Sequence, residues 1–147
     1  MIIRSTATAI CLIASMTAGS AMAQGASQWA KVGELGDRVT YIDLGSVRGS
    51  SADNAAVTIS VSKANTDIAG EQTRWSFNCR ARTYHATGYR DVEADLTMGE
   101  FDASTEPPEP IVEGSMVGAI AQSVCDGAES DNVYPSLAEA IAAARAN

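Results

Sequence analysis

An α+β fold, a single antiparallel sheet packed by a C-terminal helix, follows from three features of the chain. Residues 28–89 hold five short runs in which apolar and polar side chains alternate, the period of a half-buried strand. From Ser115 the period changes to that of a helix, with Val117, Ile120 and Val124 on one face. Strands in sequence followed by helices give the α+β class, and the turns between them make consecutive strands sheet neighbours.

Gln28 to Val32 reads as the first strand, and Gly33 to Asp37 as a turn whose Gly-Asp pair tolerates the left-handed backbone of a hairpin. Arg38 to Asp43 is the second strand, with Val39 and Tyr41 on one face. Leu44 to Val47 breaks the alternation and leads into a polar loop, Arg48 to Asn54. Ala56 to Ser62 is the clearest strand, Val57, Ile59 and Val61 pointing one way and small polar residues the other. Ala64 to Glu71 is a loop. Thr73 to Cys79 alternates again, placing Trp75, Phe77 and Cys79 inward and Arg74, Ser76 and Asn78 toward water. A turn at Arg80 to Thr83 returns the chain into Tyr84 to Tyr89, and Val92 to Met98 is a weaker strand or irregular. Asp102 to Pro110, with Glu106-Pro-Pro-Glu-Pro110, is an acidic, proline-stiffened loop without regular structure. Ser115 caps the main helix. Pro135 and Ser136 open a second, short one with the Ser136-Leu-Ala-Glu139 capping spacing. Its apolar face is only Leu137, Ile141 and alanines, so it is expected to fray.

The first 23 residues read as a secretory signal peptide. Arg4 supplies the positive start, Ala7 to Ala18 the apolar run, and Ala21-Met22-Ala23 the small residues of a cleavage site before Gln24. The run falls short of the roughly 20 residues that span a bilayer. Cys11 follows Thr8-Ala9-Ile10, not the triplet of a lipoprotein acceptor. The remaining chain, about 124 residues, is one domain's worth, divided into a sheet-and-helix body over 24–126 and a linker with the short helix over 127–147. The expected location is the periplasm or the cell exterior. Formal net charge is −8, and loss of Arg4 with the leader leaves 9 basic and 18 acidic residues, a net −9. That acid surplus argues against nucleic acid and against anionic membrane as partners, since both need clustered Lys and Arg.

Cleavage leaves two thiols, Cys79 and Cys125. In an oxidising compartment an even pair is expected to form a disulfide, here from a strand end to a helix end. Closing a loop of about 46 residues is worth about 4 kcal/mol. A metal site fails on ligand count, because His85 is the sole histidine and there is no Cys-x-x-Cys pair.

Several of these residues together resemble the bacterial surface-adhesin protein E family of small exported proteins. After the leader come Trp29-x-Lys31-Val32-Gly33, then Thr40-Tyr41-Ile42-Asp43 with Ser46-Val47 close behind. Phe77-Asn78-Cys79 ends a strand, a basic turn Arg80-Ala-Arg82 follows, and Tyr84 supplies the next aromatic. Pro110-Ile111 through Gly114-Ser115 to Val124-Cys125 forms the closing element. The resemblance implies a sheet with a C-terminal helix tied by Cys79–Cys125, and a surface or periplasmic location. It further implies adhesion to host matrix and serum proteins such as vitronectin, laminin and plasminogen, with self-association as a homodimer. The chain departs from the pattern at Glu109-Pro110, where the family often has Trp before Pro, in lacking a lipidation cysteine, and in the segment 130–147.

Catalytic constellations are thin. His85 lies mid-strand with no strained nucleophile near it in sequence. The pairs Glu93/Asp95 and Glu100/Asp102 read as solubilising acids, and Asp126-x-x-Glu129-x-Asp131 lacks the glycine and distal glutamate of a calcium loop. No cofactor is implied. The denser signal is basic: Arg74, Arg80, Arg82 and Arg90 cluster on one hairpin with Tyr84 among them. A cationic hairpin on an acidic body suits an acidic protein partner. The expected function is an exported, non-enzymatic protein-binding module, the alternative an accessory protein of the cell envelope.

Overall fold

A computed structural model describes residues 27–50 and 52–146; the leader expected over 1–23 and its cleavage step lie outside them. Strands β1 (Trp29–Leu35), β2 (Arg38–Ser50), β3 (Asp53–Ser62), β4 (Ile68–Asn78) and β5 (Thr83–Glu93) form an antiparallel meander in chain order. Two-residue strands β6 (Asp102–Ala103) and β7 (Glu109–Pro110) both pair with β5. At the other edge β8 (Val133–Tyr134) pairs with β1. Helices α1 (Met116–Cys125) and α2 (Leu137–Arg145) complete the fold. Strands dominate, so the molecule is richer in sheet than the expected α+β arrangement.

The two helices lie on opposite faces of the sheet. One core joins Ala30, Ile42, Ala56 and Phe77 to Ile120 and Ala121 of α1, with Trp75, Cys79 and Tyr84 at its margin. The other joins Trp29, Val39, Tyr41, Ile59 and Val61 to Ala140, Ile141 and Ala144 of α2. Neighbouring residues such as Trp29 and Ala30, or Tyr41 and Ile42, therefore serve different cores, as the pleat requires. Val57, Ile59 and Val61 do share a face, but it is not the face of Trp75 and Phe77. The register sets Ile59 against Gln72 and Ala56 against Trp75.

Each helix is tied to the sheet. Ser115 Oγ accepts from Gly118 N at 2.9 Å, capping α1, and Cys125 at its other end is disulfide-bonded to Cys79 beside the end of β4, with the Cα atoms 5.4 Å apart. Gly33 admits α1 closely, because a Cβ there would meet Met116 Cε at 3.3 Å. The short tail helix, expected to fray, instead buries Ala140, Ile141 and Ala144. Ser136 Oγ accepts from Glu139 N. At the far end Arg145 Nη2 donates to Ile68 O at 2.7 Å and Asn65 O at 3.1 Å, clamping the β3–β4 connection. Between the helices the chain passes round the β1 edge. Lys31 N donates to Asn132 O and Ser130 Oγ donates to Lys31 O, both at 2.9 Å, which straps the crossing in place.

Where β2 was expected to break, it bulges and continues. Ser46 Oγ donates to Asp43 O at 2.6 Å and accepts from Val57 N at 2.8 Å, so a side chain stands in for the interrupted ladder. The expected loop from Arg48 to Asn54 is thereby the paired end of the β2–β3 hairpin. The acidic proline segment, expected without regular structure, carries β6 and β7 and covers the β5 edge. Prolines suit this role, since an edge partner needs few donors and a proline edge discourages further pairing.

Candidate functional site

Rows across the sheet define what the open part of the α2 face presents. Reading from β1 to β5, one row is Trp29, Asp43, Val57, Arg74 and Gly88. On one side of it Ile59, Gln72 and Arg90 continue toward α2, and on the other Arg48, Ala55, Ser76 and His85 run out to the exposed end. α2 packs on β1, β3 and β8, so it leaves Arg48, Arg74 and Ala55 exposed.

The five residues expected to bind a partner separate into three places. Arg74 and Arg90 converge on the ring of Phe101, their guanidinium carbons 4.8 and 4.1 Å from its centroid. Gly88 permits this convergence: a Cβ would stand 2.9 Å from Asp102 O, 3.2 Å from Phe101 Cβ and 3.3 Å from Arg74 Nη2. Arg74 Nε donates to Thr87 Oγ1, and Arg90 donates to Gln72 Oε1 at 2.8 Å and Gly99 O at 3.1 Å. Burial lowers the Arg90 pKa, and the nearby charge of Arg74 adds to the shift. Arg80 and Arg82 lie apart at the hairpin tip, where Arg82, at a positive φ of 54°, faces Asp126 at 3.8 Å. Tyr84 is on the α1 face, packed at 5.8 Å from Trp75 and 6.3 Å from Phe77 between ring centroids.

Two acids of the segment beside β5 are held on the opposite face. Tyr84 Oη donates to Glu109 Oε2 at 3.1 Å, and Tyr89 Oη to Glu106 Oε2 at 3.0 Å. Burial, followed by these hydrogen-bonded carboxylates, raises both phenol pKa values. Glu106 and Glu109 belong to the segment nearest β5, yet they serve the face that carries α1. Among the described residues no carboxylate lies within ion-pair distance of Arg48, Arg74, Arg80 or Arg90. In a chain with this acid surplus, that lack of ion-pair partners is a property of the fold and not of the composition.

A cleft of about 440 Å³ opens between the start of α2 and the sheet. Trp29, Val57 and Leu137 give it apolar surface, and Asp43, Gln72 and Arg90 its polar groups. Asp43 and Gln72 were not singled out from the sequence, nor was Phe101. Asp43 closes what reads as an ordinary strand, within the Thr40-Tyr41-Ile42-Asp43 run but given no role, and Phe101 sits alone in an irregular stretch. Among the described residues no group of three or more His, Cys, Asp or Glu side chains is placed to hold a metal ion. None of their helices is long and apolar enough to cross a membrane. His85 pairs with Ser76 in the ladder.

Comparison with protein-family models, with curated proteins and with solved structures gives no match.

Proposed function

We propose that the protein is an exported, non-enzymatic binding module that holds an acidic segment of a protein partner on the open end of the α2 face. The observation that carries this reading is the pair Arg48 and Arg74, exposed on one face without a carboxylate in ion-pair range among the described residues, while Glu106 and Glu109 are held on the other. Charge placed this way orients an encounter and fixes which face docks. His85 and Ser76 extend the same surface with further hydrogen-bonding groups. The hairpin tip with Arg80 and Arg82 borders it. Arg82 is partly neutralised by Asp126, so the weight falls on Arg48 and Arg74.

The resemblance supplies the first partners to try. Binding of the oxidised chain from Gln24 to Asn147 is measured against vitronectin, laminin and plasminogen near physiological salt. Saturable micromolar binding that weakens in Arg48→Glu/Arg74→Glu, more than in Arg80→Glu/Arg82→Glu, supports the reading. Binding unchanged by the first pair overturns the assigned surface. No binding by a folded, disulfide-linked chain favours instead an accessory role with envelope components of its own cell.

A further inference from the structure

The cleft between α2 and the sheet has a charge layout that the protein-docking surface does not use. Arg90 stands at its β5 end, steadied by Gln72 and Gly99. Asp43 stands at its β2 end, where Oδ1 accepts from Ser27 Oγ at 2.9 Å and Gly45 N at 3.0 Å. β2 and β5 are three strand spacings apart and Arg90 lies one row along from Asp43, which puts the two Cα atoms about 16 Å from each other before their side chains reach inward. The middle of the cleft is apolar, floored by Val57 and Trp29 and walled by Leu137 and Met98. Gln72, 2% exposed, is the one amide beneath it. Arg90 has no carboxylate in ion-pair range among the described residues, and its nearest charged neighbour across Phe101 is a second arginine. An anion at that end relieves both conditions.

A positive end, an apolar middle and a negative end select an elongated zwitterion. The geometry points to a short peptide of two or three apolar residues as the ligand of this cleft, its terminal carboxylate on Arg90 and its terminal ammonium toward Asp43. An extended residue spans about 3.3–3.6 Å, so two or three bridge the gap left once the Arg90 and Asp43 side chains extend into it. The volume of about 440 Å³ lies in the range of small-ligand sites, about 300–1,000 Å³. The aliphatic side chains would cover Val57, Leu137 and Met98, the last of which is 45% exposed. A dianion is disfavoured by Asp43 and a purely apolar molecule by the half-buried Arg90 guanidinium, which it would cover without a counter-charge.

Calorimetric titration of the oxidised full-length mature chain with tri-leucine tests this, alongside its C-terminal amide and its N-acetyl form. Saturable binding by tri-leucine is expected, weakened about tenfold or more by amidation or by Arg90→Gln, the size of one charge-assisted hydrogen-bonded contact. N-acetylation and Asp43→Asn are expected to weaken it less, because Asp43 Oδ1 already accepts from Ser27 Oγ and Gly45 N. Since Arg90 also anchors Gly99, Met98→Trp serves as a second variant that fills the cleft from its exposed wall, and thermal melts confirm that each variant folds. Absence of saturable binding, or binding equal for the free, amidated and acetylated peptides, overturns the proposal. Binding retained in both Arg90→Gln and Met98→Trp places the peptide elsewhere and overturns it equally. None of these readouts involves Arg48 or Arg74, so failure here leaves the docking surface untouched.

Discussion

Each face of the sheet is closed by one short helix, yet the two closures rest on different physics. α1 has 10 residues and α2 has 9, both shorter than the roughly 12–15 at which isolated helices hold even marginally in water. Each therefore depends on an anchor outside itself. α1 is pinned at its end by the covalent link to Cys79, while Trp75, Phe77 and Tyr84 fill the margin of the core it covers. α2 has no covalent link. It is held by burial of Ile141 and its alanines, by the strap round β1, and by the Arg145 guanidinium on the β3–β4 carbonyls. The covalently closed face is packed toward β5 and holds Glu106 and Glu109, whereas the reversibly closed face is left open toward β5 and presents Arg74, Arg90 and the cleft. The proposed binding surface is on the face that is incompletely covered.

The largest expected effect separates the faces by their anchors. Replacing Cys79 and Cys125 together by Ser should cost about 4 kcal/mol in chemical denaturation, the loop-closure value for a sequence separation of 46. A loss below about 1 kcal/mol would show that α1 stays docked without its staple. Next come matched core truncations. Ile120→Ala on α1 and Ile141→Ala on α2 should each cost about 2–4 kcal/mol, as buried isoleucines do. If the Ile141 variant loses less than about 0.5 kcal/mol, α2 is a fraying tail and the comparison collapses to one core.

A smaller effect is read by pH. Burial holds the Tyr41 phenol up at about 12, with Tyr134 and Glu34 adding to the rise, against 10.0 for an ordinary tyrosine. Above pH 10 the unfolded chain loses a proton that the folded chain keeps. The stability from this group is thus fully present below pH 10 and is lost as pH rises through about 12. Tyr84 and Tyr89 shift in the same direction on the other face, so Tyr41→Phe isolates the α2 core. The variant's denaturation midpoint should fall less between pH 9 and pH 11.5 than the parent's. The smallest effect belongs to Asp126→Asn, which breaks the exposed pair with Arg82 and should change stability by less than about 0.5 kcal/mol.

The alternation that marks β1 to β5 was legible because each strand has at least one clean apolar face. What alternation leaves open is which face of one strand continues that of the next. Val57-Ile59-Val61 and Trp75-x-Phe77 read equally well as neighbours, and only the pairing of Ile59 with Gln72 assigns them to opposite cores. A shift of one residue would merge them, so the two-faced architecture lives in register, a property of the assembled sheet. α2 was undervalued for a related reason: alanine makes a weak apolar stripe, but small side chains let the helix sit close against Trp29, Tyr41 and Ile59. Of the arginine cluster, the residue types and the hairpin were legible. Its division was not, because Arg74 and Arg90 share a face with each other but not with Tyr84, and Phe101 reaches them from outside the hairpin.

The strap from α1 to α2 has a consequence for the life of the chain. α2 comes after every strand of the core it covers, and Ser130 finds Lys31 across 99 residues of sequence. The sheet, α1 and the disulfide can all be in place while Trp29, Tyr41, Ile59 and Val61 still face water. A chain cut within the strap keeps its covalent staple and bares one whole core, the kind of apolar patch that drives aggregation. Keeping α2 attached is therefore what keeps this core covered, and a cut in the strap would uncover it without touching the disulfide.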